Sequence, residues 1–200
     1  MARDLRIVKN YKVESIEKVR SKYVINGERN YDIVINTMPL NILPFVIKET
    51  PIEVKNKSKL LKYNKVTNVL WEAEPVENTW TYFPDREIKF HRHIHIGNFF
   101  EPKDSKYTIT EVIGEHSYED MLNYAKKIDY LIKPLDYNVS EHAYVVFDKN
   151  YKDTKKFILK FIEDYGIYTL GRFGEWDYYN MDICIEKAMR LSEKIIERYS

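Results

Sequence analysis

Residues 31–40 read YDIVINTMPL: Asp32, the unbroken apolar run Ile33–Val34–Ile35, then Asn36, Thr37 and Pro39. A short continuous apolar run with an abrupt polar end suits a strand buried on both faces, as in a parallel sheet. Such a strand needs parallel neighbours, each reached through a crossover of about a dozen residues or more. The upstream sequence is too short to supply them. The stretch therefore predicts a parallel sheet completed by residues outside this sequence.

Working outward, RIVKNYKVESIEKV and SKYVIN carry the β-branched and aromatic residues of strands, and NGERN (residues 26–30) reads as a turn. Short helices are expected around Asn41–Ile47 and near Leu60, then a strand over Val66–Glu74. Tyr107–Ser117 reads as another strand. Met121, Leu122, Ala125, Ile128, Leu131 and Ile132 recur at helical spacing behind a Ser117/Asp120 capping signal, with Pro134 as the stop. A strand over 139–148 precedes a helix over 152–165 that Gly166 closes. The short strand IYTL and a last helix from about Met181 complete the chain.

Composition narrows the function classes. The 200 residues suffice for one domain, or one domain plus part of another. A net charge of +1 gives no footprint for nucleic acid or an acidic membrane surface. Cys184 is the only cysteine, which excludes an intrachain disulfide and a cysteine zinc site and fits a reducing compartment. No apolar run approaches the roughly 20 residues that span a bilayer. The start MARDLRIVKN lacks the apolar core of a secretory leader. We expect a soluble cytoplasmic protein with no nucleic-acid or membrane partner. The 17 tyrosines suit a site that both stacks and hydrogen-bonds a ligand, and compositional bias explains the count equally well.

Three segments could carry chemistry. In KFHRHIHIGN (residues 89–98), strand alternation puts Phe90, Arg92, Ile94 and Ile96 on one face and His91, His93 and His95 on the other. A guanidinium on the apolar face needs a phosphate, a carboxylate ligand or an ion pair with a nearby Glu or Asp, and the ion pair is the plainer reading. His-x-His could reach a metal, but no partner completes a ligand set, so a solvated histidine face is expected. In LGRFGEWDYYNMDICIEKAM (residues 170–189), a strand runs into Gly171-Arg172-Phe173-Gly174 and a helix starts near Asn180–Asp182. The glycines permit close approach, and the helix start offers N–H groups to an electron-rich ligand, or is simply capped by Asn180. In WTYFPD, Trp80 and Tyr82 share one face of an extended segment, and HAYVVFD offers Tyr144.

Taken together these segments resemble UDP-galactopyranose mutase, especially its eukaryotic-type branch, within the amine-oxidase-like flavoproteins. YDIVINTMPL resembles the strand by which that group returns to its FAD domain. WTYFPDREIKFHR resembles the mutase Trp-x-Tyr-Phe-Pro segment and arginine strand. LGRFGEWDYYNMD resembles the C-terminal flavin motif. Order and spacing agree: Arg92 follows Tyr82 by ten positions and Arg172 follows Tyr144 by twenty-eight. The resemblance implies that Arg92 and Arg172, with Tyr82, Tyr144 and Tyr178, hold the diphosphate of a nucleotide-sugar substrate. It implies that Gly171, Arg172, Asn180, Met181 and Asp182 lie against FAD. It implies an isomerase in which reduced flavin displaces UDP and the sugar ring recloses contracted, without net redox change.

The group's G-x-G-x-x-G loop is absent from this sequence, and Met181 stands where the eukaryotic-type branch tends to have glutamine. The expected fold is α+β: an antiparallel substrate-binding domain of five or six strands over residues 45–167, with flanking helices. Residues 1–44 and 168–200 would form a partial FAD-binding domain lacking the Rossmann half. A partner chain carrying that half, or self-association, would complete it. The alternatives are a related flavin oxidoreductase of the amine or protoporphyrinogen oxidase type, and a non-catalytic remnant serving as a binding or oligomerising domain.

Overall fold

The protein is described by a computed structural model over residues 5–100 and 106–200. Its architecture is mixed α/β with antiparallel sheets, divided into two compact units. One unit is the chain up to Lys62 together with Val146–Ser200; the other is Tyr63–Val145.

In the first unit, β1 (Ile16–Val19), β2 (Lys22–Ile25) and β3 (Arg29–Tyr31) form an antiparallel meander. Asn26, Gly27 and Glu28 connect β2 to β3: Asn26 and Gly27 are both at positive φ, and Glu28 N donates to the Ile25 carbonyl at 3.0 Å. Asn26 also clamps the preceding segment: its Oδ1 accepts from the Glu14 and Ser15 amides at 2.8 and 3.0 Å, and its Nδ2 donates to the Lys12 carbonyl at 2.8 Å. YDIVINTMPL contributes a two-residue strand, β4 (Ile35–Asn36). It pairs in parallel with β10 (Tyr168–Thr169), as the apolar run implies.

Burial on both faces of β4 is not found. Asn36 is buried, but Ile35 is 45% exposed. Among the described residues β10 is the sole sheet neighbour of β4, and Ile33, Val34 and Ile35 line an open cavity of about 450 Å³ instead of packing under a second strand.

The helices of this unit are α1 (Leu43–Val46), α2 (Ile52–Ser58), α4 (Tyr151–Tyr165), α5 (Gly171–Gly174) and α6 (Met181–Tyr199). Helices α2 and α4, which the sequence reading assigns to the middle segment, pack on each other here. Gly166 ends α4 in the left-handed region at φ +94°, and its amide donates back to the Ile162 and Glu163 carbonyls.

The second unit is a five-stranded sheet in the order β6-β7-β8-β5-β9. Its strands are β5 (Lys62–Ala73), β6 (Trp80–Tyr82), β7 (Arg92–His95), β8 (Tyr107–Ile113) and β9 (Leu131–Val146). Val69, Trp71, Phe90 and Val112 pack with Met121, Ala125 and Ile128 to form its core. Helix α3 (Tyr118–Ala125) starts with a reciprocal capping box between Ser117 and Asp120, as the sequence implies.

Helix α3 is shorter than its apolar periodicity suggests. It ends at Ala125, and Pro134 lies inside β9 rather than stopping a helix. The sheet order puts β9 at an edge, where a residue without an N–H need not break a ladder. Ile128 still joins the core from the connecting turn.

The expected solvated histidine face is overturned. His93 and His95 are fully buried. Strand β7 begins only at Arg92, and Phe90, outside it, lies on the histidine side, 5.0 Å from His93 between ring centroids. One face of β7 had to be covered. Burying neutral imidazoles that find hydrogen bonds is far cheaper than burying a guanidinium. His95 meets Thr108 Oγ1 at 2.8 Å and Thr81 Oγ1 at 3.1 Å, and His93 meets the Tyr130 hydroxyl. Among the described residues no cluster suited to a metal ion occurs, and no helix is long and apolar enough to cross a membrane.

Candidate functional site

With the histidines turned inward, the other face of the sheet is laid out by strand register. Tyr82 pairs with Arg92, Arg92 with Glu111 and Glu111 with Asn68, so these four side chains form one row across β6, β7, β8 and β5. One step along, Trp80, Ile94, Ile109 and Leu70 form a parallel apolar row. A polar row beside an apolar one, on a partly exposed sheet face, can both orient and bury part of a ligand.

Arg92 is the hub of the polar row. Its Nε and Nη2 meet Glu111 Oε2, and Nη2 also donates to the Tyr144 hydroxyl at 3.2 Å. Its guanidinium lies 4.9 Å from the Trp80 ring centroid. Burial works against the charge of Arg92, but hydrogen bonding with Tyr82 and the Glu111 carboxylate outweighs it and holds the pKa above the ordinary arginine value. The plainer reading of Arg92, an ion pair with a nearby acid, is thus what the structure contains. The partner sits in TITEVIGEHS, where Glu111 interrupts the Ile109/Ile113 face as Arg92 interrupts its own. That matching interruption is the signal that could have found Glu111.

Beside Glu111 the face dips into a cavity of about 350 Å³. Asn68 lines it, and the Asn68 Oδ1 atom is buried with no hydrogen-bond partner among the described residues.

The first unit holds the other expected residues. The turn Gly171-Arg172-Phe173-Gly174 is α5, a single helical turn fastened to YDIVINTMPL. Leu170 N donates to the Asn36 carbonyl at 2.9 Å, and Leu40 N donates to the Phe173 carbonyl at 2.9 Å. Gly171 has φ +86°, which favours glycine. Gly174 has no room for a side chain: a Cβ there would lie 2.7 Å from the Asn36 carbonyl oxygen.

Arg172 Nε donates to the Tyr179 carbonyl at 2.9 Å, and its guanidinium lies 4.6 Å from the Tyr178 ring centroid. Asp177 anchors this segment through Lys155 Nζ at 2.6 Å and the Tyr151 hydroxyl at 3.1 Å. Burial raises the Asp177 pKa, but Lys155 and Tyr151 outweigh it and keep the carboxyl below its usual value. Asn180 occupies the N-cap position of α6 without a side-chain capping bond. The first N–H groups of α6, beginning at Met181 and Asp182, are therefore not met by that side chain and suit an electron-rich group. Met181 itself is 84% exposed.

The expected site residues thus fall into two sets. Arg92, Tyr82 and Tyr144 come together in the second unit, and Gly171, Arg172, Tyr178, Asn180, Met181 and Asp182 follow one another in the first. The fold is shared with solved enzymes. One is a reduced UDP-galactopyranose mutase, at TM-score 0.62 and 17% identity over 84% of this chain and 42% of that one. Another is a CLA-producing fatty acid isomerase from P. acnes, at TM-score 0.65 and 12% identity over 91% and 46%. A third is a putative protoporphyrinogen oxidase from Exiguobacterium sp. 255-15, at TM-score 0.56 and 14% identity over 80% and 41%. At these identities the likeness is one of fold, and the chain spans less than half the length of each. No protein-family pattern and no curated protein sequence matches it.

Proposed function

We propose that this chain is the C-terminal part of a flavin-dependent enzyme of the UDP-galactopyranose mutase type, acting on a nucleotide sugar. The observation that carries the reading is the Arg92 hub. Of the tyrosines that the sequence resemblance assigns to the same diphosphate, Tyr144 hydrogen-bonds to Arg92 and Tyr82 stands opposite it in strand register. Fold likeness to a mutase supports the reading.

In the first unit, Gly171, Arg172, Asn180, Met181 and Asp182 would hold FAD. The fit rests on the α6 start, where the Asn180 side chain makes no cap bond to the N–H groups, and on the open space over Gly171, where an added Cβ would meet nothing within 4 Å. Reduced flavin, when bound, supplies the nucleophile of the ring contraction. This chain's own part is to bind and orient the diphosphate and to stabilise the charge on the departing group.

A dinucleotide-binding segment from the same or another polypeptide would supply the G-x-G-x-x-G contacts. Two features of the first unit suit such a neighbour. One is the open cavity along β4. The other is α6, where Met181, Ile185, Met189 and Ile196 recur at helical spacing and are exposed. Purification alone and with that segment tests the point. We expect bound flavin with the segment and none without it; flavin held by this chain alone would overturn the division of labour.

A related flavin oxidoreductase is the second reading. The ion pair favours it, because Glu111 already satisfies the charge of Arg92, and so does the fold likeness to a putative protoporphyrinogen oxidase. Under that reading Arg92→Ala leaves activity nearly intact.

A further inference from the structure

Glu111 faces two side chains of the neighbouring segment, not one. Strand register pairs it with Arg92, yet the His91 amide also donates to the Glu111 carbonyl, at 3.0 Å. Two consecutive residues thus oppose one, the arrangement of a β-bulge, and bulges re-aim side chains beside functional sites. His91 Nε2 lies 3.7 Å from Glu111 Oε2, the same oxygen that Arg92 holds. The His91 side chain is partly exposed, whereas His93 and His95 are fully buried.

The groups facing the His91 ring are Glu111 from β8 and Arg92 from β7, with His93 on the core side. Tyr82 from β6 and Tyr144 from β9 join the cluster through Arg92. Burial pushes the His91 pKa below its ordinary value, against the pull of Glu111. Its Nδ1 is buried without a hydrogen-bond partner among the described residues, which adds to the cost of charging the ring. With His91 neutral, Arg92 and Glu111 cancel, and an incoming anion meets a carboxylate as well as a guanidinium. A proton on His91 leaves the cluster with one net positive charge. It also gives the carboxylate a second cationic partner, which frees part of the Arg92 fork.

We propose that His91 is a positioning residue of the anion site: as an anion arrives at Arg92, His91 takes one proton from solvent, draws the Glu111 carboxylate to itself and leaves Arg92 to the anion. The anion at Arg92 rests on the reading above, and the proton on His91 follows from the shared carboxylate.

Sulfate binding to the full chain, without flavin or any added segment, tests this through the NMR shifts of the Arg92 Nε–H and the His91 ring. Sulfate keeps both charges between about pH 5.5 and pH 7.5, so a pH dependence over that range belongs to the protein. Binding that takes up a proton tightens as pH falls, until His91 is already protonated in the free chain. We expect sulfate to bind about tenfold more tightly at the lower pH, with the His91 pKa raised in the complex. His91→Gln should abolish that dependence. Glu111→Gln, which removes the carboxylate competing for Arg92, should bind sulfate at the higher pH at least as tightly as the unsubstituted chain does at the lower. Equal affinity at both pH values, a dependence that survives in His91→Gln, or no saturable binding at the lower pH would overturn the proposal. Sulfate carries neither nucleotide nor sugar, so failure of the mutase activity leaves this result standing, and a flat pH profile leaves the mutase reading standing.

Discussion

Arg92 and Glu111 stand directly opposite each other on β7 and β8 and form an ion pair with side chains only 18% and 12% exposed. Removing one partner strands the other charge in a poorly solvated place. We expect Arg92→Met or Glu111→Leu alone to cost about 2–4 kcal/mol in urea unfolding. The double variant should recover most of that loss, because no unpaired charge remains. Additive losses would show that the pair is not coupled.

His93 gives the fold a pH dependence. Burial, with smaller contributions from His95 and His91, pushes its pKa down to about 3 from an ordinary value of 6.5. The unfolded chain therefore takes up a proton that the folded chain refuses. Stability from this residue is whole above pH 6.5 and is lost as pH falls from there toward 3. The slope is about 1.4 kcal/mol per pH unit. We expect urea unfolding at about pH 5 to show a loss of roughly 2 kcal/mol from this one group relative to neutral pH. His93→Gln, although less stable overall, should lose correspondingly less over the same interval.

The glycines flanking Arg172 should respond differently to substitution. At Gly174 an added Cβ lies 2.7 Å from the Asn36 carbonyl oxygen and 3.3 Å from Thr37 Cα, both backbone atoms that cannot turn aside. Gly174→Ala should cost about 1–3 kcal/mol and loosen α5 from β4. At Gly171 no atom lies within 4 Å, so Gly171→Ala carries only the backbone cost of φ +86°, about 1 kcal/mol. Thermal unfolding of the two variants provides the comparison, and equal losses would contradict the close packing at Gly174.

Much of this arrangement is legible in the sequence, for physical reasons. The run at Ile33–Ile35 announces a parallel pairing, which Ile35 and Asn36 make with β10, but not the burial on both faces that apolar continuity implies. The Ser117/Asp120 box fixes the start of α3 because it is a local hydrogen-bond pattern. The end of α3 is not local: Leu131 keeps helical spacing yet begins a strand, because tertiary pairing with β5 overrides periodicity. Alternation in KFHRHIHIGN separates Arg92 from His93 correctly but does not say which face the core takes. That choice depended on α3 and on Thr81, Thr108 and Tyr130, which come from distant positions. Glu111 escaped for the same reason, since its meaning appears only once β7 and β8 are in register.

The proposed nucleotide-sugar chemistry is tested most directly by turnover: this chain, combined with a dinucleotide-binding segment, loaded with flavin and reduced, is given UDP-galactofuranose. We expect conversion to UDP-galactopyranose, resolved by chromatography, and a fall of about 10²–10³ in kcat for Arg92→Ala. Conversion unaffected by that substitution, or absence of conversion from a flavin-loaded and fully reduced enzyme, would contradict the account.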